Sequence, residues 1–229
     1  MNTTNPPAPA SAVHVGKERP ILFSGPMVRA LLNSSKTQTR RVCKHAMDTN
    51  LSAVVGPFDC PEFGSGWFGD EDGDVQFLGP YGQPGDRLWV RETFMDLNST
   101  GVEHRDSTGR RQRYAFAADT PPGSYGDEAR KEYGLKWKPS IHMPRAASRI
   151  LLEIVSVRVE RLQDISEADA IAEGCTRPVC GPDWKLTKRW AYRTLWESIN
   201  GAGSWAANPW VWVVEFKRAN CAIARGLKE

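Results

Sequence analysis

The chain has 229 residues, 40% of them hydrophobic and 25% charged, with a formal net charge of +3. This composition fits a globular protein with one ample core or two small ones. It contains no apolar run of membrane-spanning length and no basic-then-apolar signal pattern, so a cytoplasmic protein with no membrane partner is expected. The charge is too mild to diagnose nucleic-acid binding, but its distribution is uneven. Residues 36–44 carry Lys36, Arg40, Arg41 and Lys44 without one acid, and residues 59–74 carry six acids without one base. The five cysteines are an odd count, which argues for reduced thiols. Only Cys175 and Cys180 approach a metal-ligand spacing and the four histidines are scattered, so neither a metal nor a cofactor is expected.

Residues 1–18 hold Pro6, Pro7 and Pro9 among small polar residues and read as a disordered tail. A short strand is expected at residues 20–23. Ser24-Gly25-Pro26 then opens a helix whose apolar face is Val28, Leu31 and Leu32, ending at Asn33-Ser34-Ser35. Lys36 thus falls where a helix gives way to extended chain. Residues 56–85 are rich in glycine, aspartate and aromatics and predict a loop-dominated insertion. Arg87 to Glu92 alternates as a strand with Leu88 and Val90 on one face. Residues 96–145 read as polar and irregular, and 149–160 as a central strand or two.

Ser166-Glu167-Ala168-Asp169 has the form of a capping box and Gly174 that of a helix stop, which predicts a short helix over 166–173. A second helix is expected from Thr187 to Asn200, with Ala191, Leu195 and Ile199 beside Tyr192 and Trp196. Residues 210–217 alternate as a closing strand, with Trp210, Trp212, Val214 and Phe216 on one side. Strands with a few short helices and no βαβ alternation predict an α+β domain around a small, strongly curved sheet or barrel.

Lys36-Thr37-Gln38-Thr39-Arg40-Arg41 is the stretch richest in chemistry. A hydroxyl three residues from an amine can form a nucleophile–base pair, and Arg40 and Arg41 could hold an anion beside it. Arg145 and Arg149, near Trp137 and His142, could line a cleft that clamps phosphate or stacks a base, or could be solvated residues of a loop made rigid by Pro139 and Pro144. Trp205 sits in a loop, where it either stacks a base or packs over one end of the barrel.

With its preceding helix, this stretch resembles the signature of ASCH-domain proteins, a branch of the PUA-like superfamily. Gly85-Asp86-Arg87-Leu88-Trp89-Val90 resembles the family's glycine–aspartate turn and strand. Ala170-Ile171-Ala172-Glu173-Gly174 resembles its short glutamate-bearing helix, and residues 211–217 resemble its final strand. These islands occur in the family's order across residues 20–218, and the chain is most similar to the larger ASCH proteins of bacteriophages and prophages.

The resemblance implies one PUA-like β-barrel domain over 19–218, with short flanking helices, long loop insertions near 44–84 and 96–145, and a C-terminal tail at 219–229. It also implies a cleft for RNA or a modified nucleoside, with no obligate protein partner. If phage-encoded, the protein would act in the cytoplasm of the bacterial host. Some small bacterial members are N4-acetylcytidine amidohydrolases, whose proposed lysine, threonine and glutamate fall here on Lys36, Thr39 and Glu173. Arg41 matches a family arginine. Ser34 stands where many members have glycine, which costs something if its φ is positive. On this reading, Thr39 is the nucleophile and Lys36 the base, its pKa lowered by Arg40, Arg41 and partial burial. Glu173 is the acid, in the last turn of its helix, where the macrodipole raises its pKa. The expected function is hydrolysis of an N4-acylated cytidine-type amide. The alternatives are a non-catalytic RNA or modified-base binding module and, third, a ribonuclease.

Overall fold

The structure is a computed structural model that describes residues 16–49, 51–60, 64–98, 100–106, 108–175 and 187–219. Strand β1 (Glu18–Leu22) leads into helix α1 (Gly25–Leu32). Pro26 lies in the first turn of α1, where its missing N–H costs nothing, and Val28 and Leu31 bury the apolar face. The helix ends at Asn33, and Ser34 makes the turn with a φ of 61°, the strained geometry anticipated for a serine in a glycine position. Strand β2 (Gln38–Val42) and the short helix α2 (Lys44–Asp48) follow. Lys17 and Glu18, expected within the tail, are placed in the fold: Lys17 N–H donates to Asp86 Oδ1 at 2.7 Å and Glu18 opens β1. The rest of that tail, residues 1–15, lies outside the described residues, as do 220–229.

The first insertion corrects the expectation of a loop. It holds β3 (Val55–Cys60), β4 (Gly64–Gly69) and β5 (Gln76–Leu78), an antiparallel sheet in the order β3-β4-β5. Its glycines allow close strand approach instead of breaking the strands. A Cβ on Gly69 would lie 2.2 Å from Val75 O, and one on Gly56 2.7 Å from Trp67 O. Phe68 and Phe77 meet Trp212 edge-on at ring-centroid distances of 4.7 and 5.9 Å, which fastens this sheet to the main core.

Strand β6 (Arg87–Arg91) buries Leu88 and Val90, as its alternation requires. The second insertion is more regular than its polarity implies. It carries β7 (Phe94–Asp96), β8 (His104–Arg105), β9 (Arg111–Gln112), β10 (Tyr114–Phe116) and helix α3 (Tyr125–Glu132). Helix α3 is capped by Ser124, with Asp127 and Glu128 in its first turn and Arg130 and Lys131 in its last, each sign suiting the helix dipole.

The expected central strand is one long strand, β11 (Leu151–Arg161), with a bulge between Ile154 and Ser156. Helix α4 (Glu167–Ala172) has the anticipated capping box between Ser166 and Asp169, and helix α5 (Lys188–Asn200) is capped by Thr187. Strand β12 (Trp210–Arg218) completes the main sheet, ordered β1-β6-β11-β12-β2, with only the β1–β6 pair parallel. Both faces of β12 are covered. Trp212, Val214 and Phe216 pack with Phe23, Val28 and the insertion sheet, while Val211 and Val213 pack with Ala170, Tyr192 and Trp196.

Strands and helices are thus mixed as an α+β fold, and among the described residues no sheet closes into a barrel. The main sheet nevertheless curls. Arg41 on edge strand β2 donates to Leu22 O at the end of edge strand β1 (2.6 Å), and Phe23 meets Phe216 at 6.3 Å. Among the described residues, no helix is long and apolar enough to cross a membrane.

Candidate functional site

Two helix ends that are distant in sequence dock on one another to build the site. Beyond α1, the N–H groups of Ser35 and Lys36 both donate to Ala30 O, at 2.9 and 3.1 Å. Thr37 N–H then donates to Ala172 O (2.8 Å), and Lys36 and Glu173 form an isolated antiparallel bridge. Gly174 permits this approach with a φ of +92°, and a Cβ there would lie 3.2 Å from Ala30 Cβ and 3.4 Å from Lys36 Cβ. Gly174→Ala is therefore expected to lower stability by about 1–2 kcal/mol through the left-handed backbone alone. A thermal melt beside the native protein checks this, and an unchanged midpoint would show that the docking tolerates a side chain.

Within this junction, Lys36 Nζ donates to Glu173 Oε2 at 2.7 Å and to Glu173 O at 3.0 Å. The two side chains are 0% and 3% exposed. The amine also lies 5.7 Å from the centre of the Phe23 ring. Burial pushes the Lys36 pKa below 10.5 against the opposing pull of Glu173, and Arg41 adds to the lowering. The expected direction is thus present, with burial as the main cause. Arg40 instead turns to carboxylates: Glu160 at 2.5 Å, Asp169 at 3.4 Å and Glu173 at 3.5 Å. With its amide oriented to suit both neighbours, Gln38 accepts from Arg40 Nη1 (2.6 Å) and donates to Asp169 (3.1 Å). Glu173 is not an ordinary exposed helix-end carboxylate. It is 5% exposed and held between two cations.

A cleft of about 60 Å³ opens along β2, between Met27 of α1 and the Tyr192, Leu195, Trp196 and Ile199 face of α5. Thr39, Arg40, Arg41 and Glu173 line it. Thr39 is 2% exposed, and its hydroxyl makes no hydrogen bond among the described residues. Two further donors in cleft residues, Arg40 Nε and Trp196 Nε1, are buried without a partner among the described residues. Such orphans are rare in native interiors and call for an explanation. Tyr192 is held as a neutral phenol, its pKa pushed well above 10 by burial and by Glu173. Burial and Glu173 likewise raise the Cys175 thiol to about 11, so it is not a ready nucleophile. Cys180, the one residue spaced to share a metal with it, lies outside the described residues.

No family model, curated protein or solved structure matches the chain.

Of the residues singled out in the sequence, Lys36, Thr39, Arg40, Arg41 and Glu173 converge here; Arg145, Arg149, Trp137 and His142 do not, and Trp205 is buried against Tyr192. Arg145 pairs with Glu18 at 2.8 Å, and Arg149 holds Glu92 bidentately at 2.9 and 3.0 Å and also binds Asp119. Trp137 lies under the Arg130 guanidinium and packs beside Met95 and Leu97. His142 is exposed in a single 3-10 turn. None of the four lines the cleft, and both arginines are paired with acids supplied from distant parts of the chain. Sequence reasoning also missed the carboxylates Glu160 and Asp169, and it assigned the cleft face of α5 to the core. The signal lay in the stripe itself, which is wider than one core contact needs. Tyr192 and Trp196 are buried, whereas Ile199 is 54% exposed.

Proposed function

We propose that the chain is an ASCH-type protein of PUA-like fold, its curled five-stranded sheet an open version of that barrel, and that it hydrolyses the amide of an N4-acylated cytidine-type nucleoside. One observation carries the reading: Glu173 lines the cleft together with a threonine hydroxyl that has no partner among the described residues, and behind that wall it is paired with a buried lysine of lowered pKa. In the proposed reaction the neutral Lys36 amine takes the Thr39 proton as the threonine oxygen adds to the acyl carbon. The proton passes along the 2.7 Å contact to Glu173, which delivers it to the exocyclic nitrogen as the C–N bond breaks and cytidine leaves. Water, deprotonated by the same amine, then adds to the threonyl ester; as the acyl C–O bond breaks, the ammonium returns that proton to the Thr39 oxygen, and the released acid ionises to the carboxylate. The unpartnered N–H groups of Arg40 and Trp196 are the candidate donors to the oxyanion.

The cleft is well below the roughly 300–1,000 Å³ of pockets that enclose a whole ligand. In this reading it takes the acyl end of the substrate and leaves the rest outside. A non-catalytic binding module is the second reading, favoured by the way Lys36 and Glu173 already satisfy one another. Incubation with N4-acetylcytidine, followed by chromatography for cytidine, separates the two. The native protein is expected to release cytidine and Thr39→Val, which keeps the shape and loses the hydroxyl, to release none. Folded native protein that yields no cytidine at high enzyme concentration would overturn the hydrolase reading for this substrate.

A further inference from the structure

A second groove lies toward the N-terminal end of helix α5. Away from the cleft, Thr187, Arg189, Trp190 and Arg193 join Trp205 in an open groove of about 230 Å³. Trp190 is 44% exposed, although it belongs to a helix with a well-buried face. Arg189 and Arg193 stand one helical turn apart, on the same side as neighbours at i and i+4. Arg189 is steered over the Trp205 ring (5.9 Å) and anchored to Gln163 O (2.5 Å). Arg193 is 49% exposed, and its ion-pair partner is Glu197 at 3.6 Å. The nearby acid Glu167 is already engaged, taking the Lys188 and Arg189 N–H groups at 2.7 and 3.2 Å and so capping the helix. The groove therefore offers two guanidinium groups beside an exposed indole.

We propose that this groove binds single-stranded RNA, one base stacking on Trp190 while Arg189 and Arg193 hold neighbouring phosphates. The inference rests on the reading of the cleft as a nucleoside site and deepens it, because α5 lines both: the substrate is a modified nucleotide within a strand, and the flanking strand lies along the N-terminal part of α5. Indole stacking with guanidinium contacts suits a sequence-tolerant single strand, whose bases are free to leave the stack. A duplex keeps its bases stacked and offers Trp190 nothing. An acidic protein would satisfy the arginines but has no need of the indole plane.

The test is fluorescence anisotropy of the full chain with a labelled, unmodified single-stranded RNA, beside Trp190→Ala, Arg193→Ala and a duplex of the same sequence. Both positions are exposed, and thermal melts verify that each variant folds. The groove is expected to favour the single strand, with Trp190→Ala weakening binding by about tenfold or more. Arg193→Ala is expected to flatten the salt slope by about 0.7. Cytidine release from the free nucleoside, followed in parallel, should be unchanged in both variants. RNA binding that both variants retain overturns the groove and leaves the cleft reading standing. The groove is likewise overturned if cytidine is released but RNA does not bind, or if the duplex binds equally well. Groove-dependent RNA binding without cytidine release upholds the groove and removes the hydrolase.

Discussion

Lys36→Met is expected to cut turnover of N4-acetylcytidine by about 10²–10⁴-fold while leaving the chain folded. Methionine fills much the same volume, and Glu173 keeps Arg40 at 3.5 Å, so the variant does not strand a carboxylate without a cation. On the proposed mechanism, what it loses is the base. Because the working form is the neutral amine, native kcat/KM should rise with pH and level off above the Lys36 pKa, which burial holds below 10.5. Residual activity in the variant should lack that limb. Stability supplies an independent sign. Between the lowered folded value and the unfolded value of 10.5, the unfolded chain binds more protons at this lysine, so its contribution makes native stability rise with pH across that window. The penalty is full below the folded pKa and disappears above 10.5. Denaturant titrations of native protein and variant over that range should therefore converge or cross in the direction favouring the native chain. A variant that keeps native turnover would remove Lys36 from the chemistry, whatever its stability shows.

The features legible in the sequence are those whose cause is local. The Ser166–Asp169 capping box, the Thr187 cap, Pro26 in the first turn of α1 and the Leu88/Val90 alternation each depend on groups within a few residues, and each has its expected form. The strands of the first insertion were hidden because glycine, read locally, signals a turn. At Gly56 and Gly69 it is required by a backbone oxygen of the adjacent chain, Trp67 O and Val75 O. Long-range pairing was the other blind spot. Arg149 reads as a free cation in a polar loop, and only the fold brings Glu92 and Asp119 to it. The Lys36–Glu173 pair spans 137 residues, and no local pattern connects its members. The resemblance expects them in one catalytic set; what the structure shows is a buried ion pair. The missing wall of that set, Tyr192 and Trp196, could not be separated from core by periodicity, because a helix that faces a cleft and a core at once shows one wide apolar stripe.

Arg40→Met should be the most destabilising change at the site, by about 3 kcal/mol or more, the range expected when one member of a buried charge network is removed. The Arg40 side chain is fully buried and binds acids from three places: Glu160 on β11, Asp169 on α4 and Glu173 beyond its end. It thereby ties edge strand β2 to the elements behind it. Partial rescue keeps the cost near the lower end. Glu160 retains Arg158 at 3.0 Å, Asp169 retains Arg158 at 3.5 Å and its cap on Ser166, and Glu173 retains Lys36. At roughly 2–4 °C per kcal/mol for a chain of this size, the melting temperature should fall by about 6–12 °C. Acid should narrow the gap. In the native protein burial raises the Asp169 pKa, but Ser166, Arg40 and Gln38 together outweigh it and hold it below 3.8, so that contribution is lost as pH falls through the folded value. In the variant Asp169 lacks Arg40, one of the groups that hold its pKa down, so less stability is lost at that carboxylate as pH falls. Arg40→Lys should recover only part of the loss, because an ammonium cannot span three separated carboxylates as a guanidinium fork does. Comparison with Thr39→Val then separates architecture from chemistry on adjacent residues of one strand. The arginine variant should lose stability and, with a candidate oxyanion donor gone, more activity than its unfolded fraction accounts for, whereas the threonine variant should lose activity at native stability. If Arg40→Met melts with the native protein, the carboxylates around it are held by other means, and the Arg40 contribution must be sought in the ligand.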